Sequence, residues 1–349
     1  MFQPWVALRA LALGLSVGAS PATVPEPAPG VTRAENGSVE MQYRTYRKWK
    51  ILLPNETFAP VGDGFTAGGE KFIAQLEGTA LAVDTDGDGK TDVRADGESA
   101  LVTLRGKTGG APFTYAVRLD SKRGWRFAAA GAMVGKVGDT KIQLIDQNNN
   151  GRYNDYGEDA MIVGRGRAAS FLSKTIRLDG ALHSITVAAD GSKVEYAPFE
   201  GDAGRLDLRS KLDTRAKLAS VVVRSADGSH SFELSRADGA VEVPAGRYQL
   251  HSGRLGLGQT TVTMQTGRAK PFEVEANGST AVAWGGPIRV EFDYNRSGNS
   301  VQFSPDAVWY YGQSGEEYVN WSPPGKSPEF VIKDKNEDRE LVIARFGGC

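Results

Sequence analysis

Residues 79–106 read TALAVDTDGDGKTDVRADGESALVTLRG. TALAV before Asp84 and ALVTLRG at the far end alternate apolar with other residues at period two, the spacing of a half-buried strand rather than of a helix. Between them lie aspartates and glycines, which favour turns because Asp bonds to its own backbone and Gly tolerates positive φ. The same arrangement recurs along the chain. KFIAQLEG, FTYAVRL, TKIQLID, AMIVG, KTIRLDG and HSITVAAD, all before Phe199, repeat the alternation with Gly, Asp and Ser clusters between them. No stretch shows a convincing helical period. These features predict an all-β protein with two or three antiparallel β-sandwich or barrel-like domains.

The chain has 349 residues, enough for two or three domains that each bury a core. Apolar residues make up 40% and charged residues 24%, the profile of a soluble globular protein. With 41 basic against 42 acidic residues there is no overall field to attract nucleic acid or an anionic membrane, so neither is an expected partner. The N-terminus, MFQPWVALRALALGLSVGASPA, is apolar from Trp5 to Ala19 apart from Arg9 and then exits through small residues. It reads as a secretory signal peptide over residues 1–22, although no Lys or Arg precedes the apolar run; a short N-terminal anchor is the alternative. A Pro-rich spacer follows to residue 40, folded sequence begins near Met41, and no later stretch is apolar enough to span a membrane. The expected location is secreted, periplasmic or cell-surface. The lone cysteine, Cys349, excludes an internal disulfide framework and a multi-cysteine zinc site.

Three blocks follow the spacer: residues 41–203, 204–276 and 277–349. In the second, Asp227-Gly228 and Asp238-Gly239 sit between alternating runs as hairpin turns should. VEVPAGRYQL, Val241 to Leu250, resembles the entry into a late strand of the carboxypeptidase regulatory-like, transthyretin-like β-sandwich. The resemblance covers roughly seventy residues and implies a fold for 204–276 rather than a function. The third block contains PIRVEFDY, SVQFSP, EYVNWSPP and PEFVIKDKNEDRELVIARF, and reads as an immunoglobulin-like β module without the Cys…Trp…Cys pattern. It stops at ARFGGC directly after a strand-like run, which leaves its completeness open.

The loops carry the chemistry. Asp84, Asp86 and Asp88 stand at positions 1, 3 and 5 of a loop with Gly89 at 6 and Lys90 at 7, where a backbone carbonyl would serve. In DQNNNGRYNDYGED, Asp146, Asn148, Asn150, Gly151 and Arg152 fill the same positions. Alternate side chains of a tightly wound loop converge on one point, glycine allows the sharp turn, and hard oxygen donors suit calcium. This is the first half of an EF-hand calcium loop, but position 12 holds Ala95 and Gly157 and strands replace the helices. The loops instead resemble the calcium loops of dockerin-type and thrombospondin type 3 repeats. After both comes Gly-Glu-(Ser/Asp)-Ala and an apolar run, which aligns Glu98 with Glu158. Calcium is thus the expected cofactor, with Glu98 and Glu158, or Asp92, Asp96, Asp155 and Asp159, completing the shells. DYNRSGN from Asp293 and DKNEDRE from Asp334 have only partial spacing and read as turns.

Paired carboxylates are plentiful, as a glycosidase would need, but the obvious cluster is better explained by metal coordination, and no other catalytic pattern stands out. His183, His230 and His251 have no partners at metal-ligand spacing and read as structural; no nucleophile elbow, Walker or Rossmann pattern occurs. YRTYRKWK, Tyr43 to Lys50, is too short and isolated to argue for nucleic acid. WYYGQSGEEYVNW, Trp309 to Trp321, gathers aromatics beside Glu316 and Glu317 and reads first as core packing, with stacking on a sugar ring as the alternative. The expectation is an exported, non-enzymatic, calcium-binding modular protein with an adhesion, envelope or ligand-display role and a polysaccharide or protein partner outside the cell. The rival expectation is a secreted hydrolase or carbohydrate-binding protein with accessory sandwiches.

Overall fold

A computed structural model describes residues 36–298, 300–320, 329–333 and 340–345. The expected signal peptide, most of the spacer, residues 334–339 of the DKNEDRE stretch, Trp321 and Cys349 lie outside these residues. The fold is all-β, and the described residues contain no helix. Each run singled out above for its alternation lies on a strand: Glu70–Glu77, Ala80–Val83, Ser99–Thr108, Ala111–Asp120, Thr140–Ile145, Ala160–Val163, Thr175–Leu178 and Ala181–Val187.

Four small antiparallel sheets surround a first core. One runs in the order Gly64–Ala67, Glu70–Glu77, Ala80–Val83, Val93–Ala95, and another in the order Ser170–Phe171, Ala160–Val163, Thr140–Ile145, Gly131–Val137, Gln42–Thr45. A third sheet centres on Ala111–Asp120 and a fourth on Ala181–Val187 with Lys193–Pro198. Their inward residues, including Phe65, Phe72, Leu104, Leu119, Ile142 and Leu144, form one cluster, with Phe65 edge-on to Phe127 at 4.9 Å. Folded sequence starts earlier than Met41: Gly37–Glu40, inside the expected spacer, is a strand paired with Lys193–Tyr196. The aromatics of YRTYRKWK serve this core too. The Tyr43 hydroxyl accepts from the Ala116 amide at 2.7 Å, and the Arg118 guanidinium stacks 4.0 Å over Trp49.

A second core lies beyond Phe199. Lys217–Ser225 and Gly246–Leu257 form its main antiparallel pair, and the turn at Asp227-Gly228 folds Ser231–Glu233 back onto the other side of Lys217–Ser225 as a hairpin. Tyr248 is fully buried, and its hydroxyl donates to the Pro244 carbonyl at 2.9 Å, so the VPAGRY phrase folds as a tyrosine bonded back onto the entering strand. Asp238-Gly239 differs from its expected hairpin role. It links Ser231–Glu233 to Val241–Pro244, which pairs with Ala203–Asp207 in another sheet. The flanking alternation was the same in both places; only the partner strand distinguishes a hairpin from a crossover.

Strands of the second and third blocks share this core. Glu317–Val319 pairs with Thr263–Gln265, and Ser279–Ala281 runs parallel to Arg205–Asp207. Trp284 is fully buried among Leu206, Leu208, Val243 and Tyr248, and its indole donates to the Leu208 carbonyl at 2.9 Å. DYNRSGN does not form a turn as a whole: Asp293 to Ser297 belong to the long strand Arg289–Ser297, and Gly298 starts the turn.

The histidines pack against other side chains. His230 Nδ1 lies 2.9 Å from Thr175 Oγ1, and His251 sits edge-on to Phe171 at 4.8 Å with Nδ1 buried and unbonded. Burial holds both rings below the usual histidine range, so the neutral form fits the fold. A depressed folded pKa means that the unfolded chain binds more protons. The stabilisation is therefore present above about 6.5, the unfolded value, and is lost as pH falls through the lower folded value. Melting temperature measured from pH 7.5 to 5 should drop less steeply for His251→Gln than for the parent chain; an identical slope would exclude this role.

Candidate metal centre

Both Asp-rich loops close β-hairpins. In the first, Val83 pairs with Val93 and Leu81 with Ala95, leaving 84–92 as the connection; in the second, Ile145 pairs with Ala160, leaving 146–159. The proposed unit of strand, loop, strand is thus the one observed.

Local chemistry explains why the two loops fold alike. Asp84 accepts from the amides of Asp86 (3.1 Å) and Gly87 (2.7 Å) with one oxygen and from Gly89 (3.0 Å) with the other. Asp146 holds the same position 6 amide, that of Gly151 (2.7 Å), with one oxygen, but its other oxygen takes the amide of Asn150 (3.1 Å) at position 5. Each later side chain then caps the amide two residues on: Asp86 to Asp88, Asp88 to Lys90, Asn148 to Asn150 and Asn150 to Arg152. The backbone repeats as well, with positive φ at position 6 (Gly89 84°, Gly151 80°) and at position 4 (Gly87 79°, Asn149 64°). Asn is the one non-glycine type besides Asp that enters this region readily, so the second loop keeps the trace with Asn149 where the first has Gly87.

The first loop brings Asp84, Asp86 and Asp88 together. One oxygen from each lies within 4.8 Å of the others, which matches the greatest separation, about 4.8 Å, of two oxygens bound to a cation at about 2.4 Å. Asp84 is fully buried, while Asp86 and Asp88 are exposed. Among the described residues none of the three forms an ion pair. Lys90 follows in the loop with its carbonyl free of the Asx ladder. Asp92 acts as a clasp instead: its carboxylate accepts from the Thr85 amide (2.8 Å) and hydroxyl (3.0 Å). Glu98 lies beyond Ala95 and pairs with Lys122 at 3.3 Å, and Asp96 pairs with Arg94.

The second loop is built from fewer charges and more burial. Asn148 and Asn150 both donate to Asp155 Oδ2, at 3.1 and 2.6 Å, so these three side chains meet at one point, while the two amide oxygens stay on the ladder. Arg152 continues the ladder, as Lys90 does in the first loop. Glu158 is exposed, and its main chain joins the loop: its carbonyl accepts from Gln147 Nε2 at 2.7 Å and its amide donates to the Asp155 carbonyl at 3.0 Å. Asp159 is buried and holds the amides of Gln147 and Asp155. Tyr115, from a strand 31 positions away in sequence, donates its hydroxyl to Asp146 Oδ2 at 2.6 Å. No spacing rule points to Tyr115; only its place on a strand facing the loop does.

Burial sets the electrostatics of this second loop. It pushes Asp146 up to about 6, against the lowering effect of the bonds from Tyr115 and the loop amides. Asp159 goes up to about 8, through burial first and then the negative charge of Asp146. A cation held among these groups would favour their charged forms.

The aromatic stretch near the C-terminal end of the second core contains no open carboxylate pair. Glu316 is fully buried and accepts from four donors: the amides of Gly285 (2.6 Å) and Ser314 (3.1 Å), and the hydroxyls of Ser314 (2.6 Å) and Tyr318 (3.0 Å). Tyr311 and Tyr318 are buried against it, so the packing role expected of this stretch is the one the structure displays.

Compared with protein-family models, curated proteins and solved structures, the chain finds no match. The functional reading rests on the residues themselves.

Proposed function

We propose that this is an exported, non-catalytic, calcium-binding β protein in which calcium at two hairpin loops rigidifies the first core, and that its role is adhesion, envelope scaffolding or ligand display. The observation that carries the reading is the repetition: two loops in different sheets share a backbone trace, a ladder of amide bonds and oxygen-bearing side chains at positions 1, 3 and 5, and in the first loop three of those oxygens converge. Three carboxylates with no cationic partner repel one another, and a divalent cation removes that repulsion. Calcium suits the all-oxygen donor set, its flexible coordination tolerates a shell completed by main-chain carbonyls and water, and the millimolar calcium found outside cells fills even weak sites. Asp84, Asp86 and Asp88 with the Lys90 carbonyl form the first shell, and Asp146, Asn148, Asn150, Asp155 and the Arg152 carbonyl form the second.

Calcium titration calorimetry with thermal unfolding tests the reading. Binding heat and a higher melting temperature are expected, with a stabilisation of about 2.7 kcal/mol per site when free calcium is a hundredfold above the dissociation constant. Asp86→Ala removes the first site and Asn148→Ala weakens the second. A chain that shows neither heat nor a thermal shift at 10 mM calcium does not have this function.

A further inference from the structure

A cleft of about 580 Å3 lies between the two cores and carries an excess of positive charge. Arg165 and Arg167 enter it from the turn after Ala160–Val163, Arg177 from Thr175–Leu178, and Arg236 from the turn after Ser231–Glu233. Among the described residues none of these four guanidinium groups forms an ion pair. Arg236 donates to the Arg165 carbonyl at 3.2 Å, which ties the two turns together and holds both charges on one rim. Arg177 is half-buried; one nitrogen reaches the Gly180 carbonyl at 3.3 Å, and its Nε is buried with no partner. A buried donor left unbonded is costly, and an acceptor entering the cleft, a ligand oxygen or a water, would relieve that cost.

Glu233 is the one carboxylate that lines the cleft. It forms no ion pair with the arginines: one of its oxygens accepts from the amides of Val221 (3.0 Å) and Ser235 (2.9 Å), burial holds its carboxyl above the ordinary range, and the charge of Arg236 offsets that rise only in part, so four guanidinium groups still face one carboxylate. Glu242 attracts Arg177 only from beyond ion-pair distance. Between the arginines the lining mixes apolar side chains, among them Ile176, Leu218, Phe232 and Leu234, with the hydroxyl residues Ser170, Thr175, Ser231 and Ser235. A volume of this size is that of a small-molecule site. Planar guanidinium forks around apolar walls recognise an oxyanion carried on an apolar or ring-shaped body.

We propose that the cleft walled by Arg165, Arg167, Arg177 and Arg236 binds a small organic oxyanion, a phosphate, sulfate or carboxylate on a compact apolar body. The inference is independent of the calcium loops, whose residues do not line the cleft.

Calorimetric titration of the intact protein in 1 mM calcium with phenyl phosphate, phenyl sulfate and benzoate tests it, with neutral phenyl β-glucoside as control. At least one of the three anions should bind with a dissociation constant at or below about 1 mM, the range expected of so small a probe, and the strongest identifies the oxyanion. Arg165→Ala and Arg236→Ala, both at exposed positions, should each weaken that binding about tenfold while leaving the melting temperature and the calcium heat unchanged. Equal affinity for the glucoside, no binding of any anion at 10 mM, or anion binding untouched by both substitutions would each overturn the proposal.

Discussion

Glu316→Ala lowers the stability of the fold by about 3 kcal/mol or more, because it removes the carboxylate that accepts from two buried donors, the Gly285 amide and the Tyr318 hydroxyl, and from the half-buried amide and hydroxyl of Ser314, and hydrogen bonds to a charged group contribute about 1.5–3 kcal/mol each. Burial of the carboxylate has its own desolvation cost, which is why the four bonds do not simply add. Removing the acceptor leaves that cost behind on the other side: the buried Gly285 amide and Tyr318 hydroxyl both lose the bond they make to Glu316. Glu316→Gln keeps one accepting oxygen and should lose roughly half as much. The neighbouring backbone is shaped around this group, since a Cβ at Gly312 would overlap Glu316 Oε1 and crowd the Gly285 carbonyl at 2.7 Å. Gly312→Ala should therefore destabilise in the same direction. Denaturant unfolding of the three variants gives the order; equal stability of Glu316→Ala and the parent chain would show that the carboxylate contributes nothing net.

Ending the chain at Ala276 unfolds the second core altogether. The cut follows the expected boundary between residues 204–276 and 277–349, but it takes Val282, Trp284 and Tyr318 out of the cluster. Loss of Trp284 alone corresponds to about 3–5 kcal/mol for a large aromatic truncated in a core. The cut also strips Ser279–Ala281 from Arg205–Asp207 and Glu317–Val319 from Thr263–Gln265, which exposes two strand edges. Against a total stability of about 5–15 kcal/mol for an ordinary domain, these losses leave no folded second core. Amide hydrogen exchange should show Lys217–Ser225 unprotected in the shortened chain, while Thr140–Ile145 and Ala160–Val163 of the first core keep their protection. Native protection over Lys217–Ser225 would instead mean that 204–276 folds alone.

Two kinds of sequence information differ here in reach. Alternation located strands correctly, because a strand buries every second side chain whatever its partner. It did not say which strand pairs with which. Asp227-Gly228 and Asp238-Gly239 have the same turn chemistry and flanks, yet one joins strands of a single sheet and the other crosses between sheets. Glu98 and Glu158 align in sequence, yet Glu98 turns to Lys122 and Glu158 is exposed.

The sequence by itself determined the shape of both Asp-rich loops. Each hydrogen bond in the two ladders joins residues at most five positions apart, so spacing and the turn preferences of Asp, Asn and Gly suffice to specify it. Tertiary structure alone decided everything that depends on residues distant along the chain. It set Tyr115 against Asp146, raised Asp159 by burying it beside Asp146, closed the second core around Trp284 and Glu316, and gathered four arginines from three separate segments into one cleft. Those arrangements follow from the order of strands in the sheets, which is fixed by the joint burial of many side chains and leaves no mark in the local pattern.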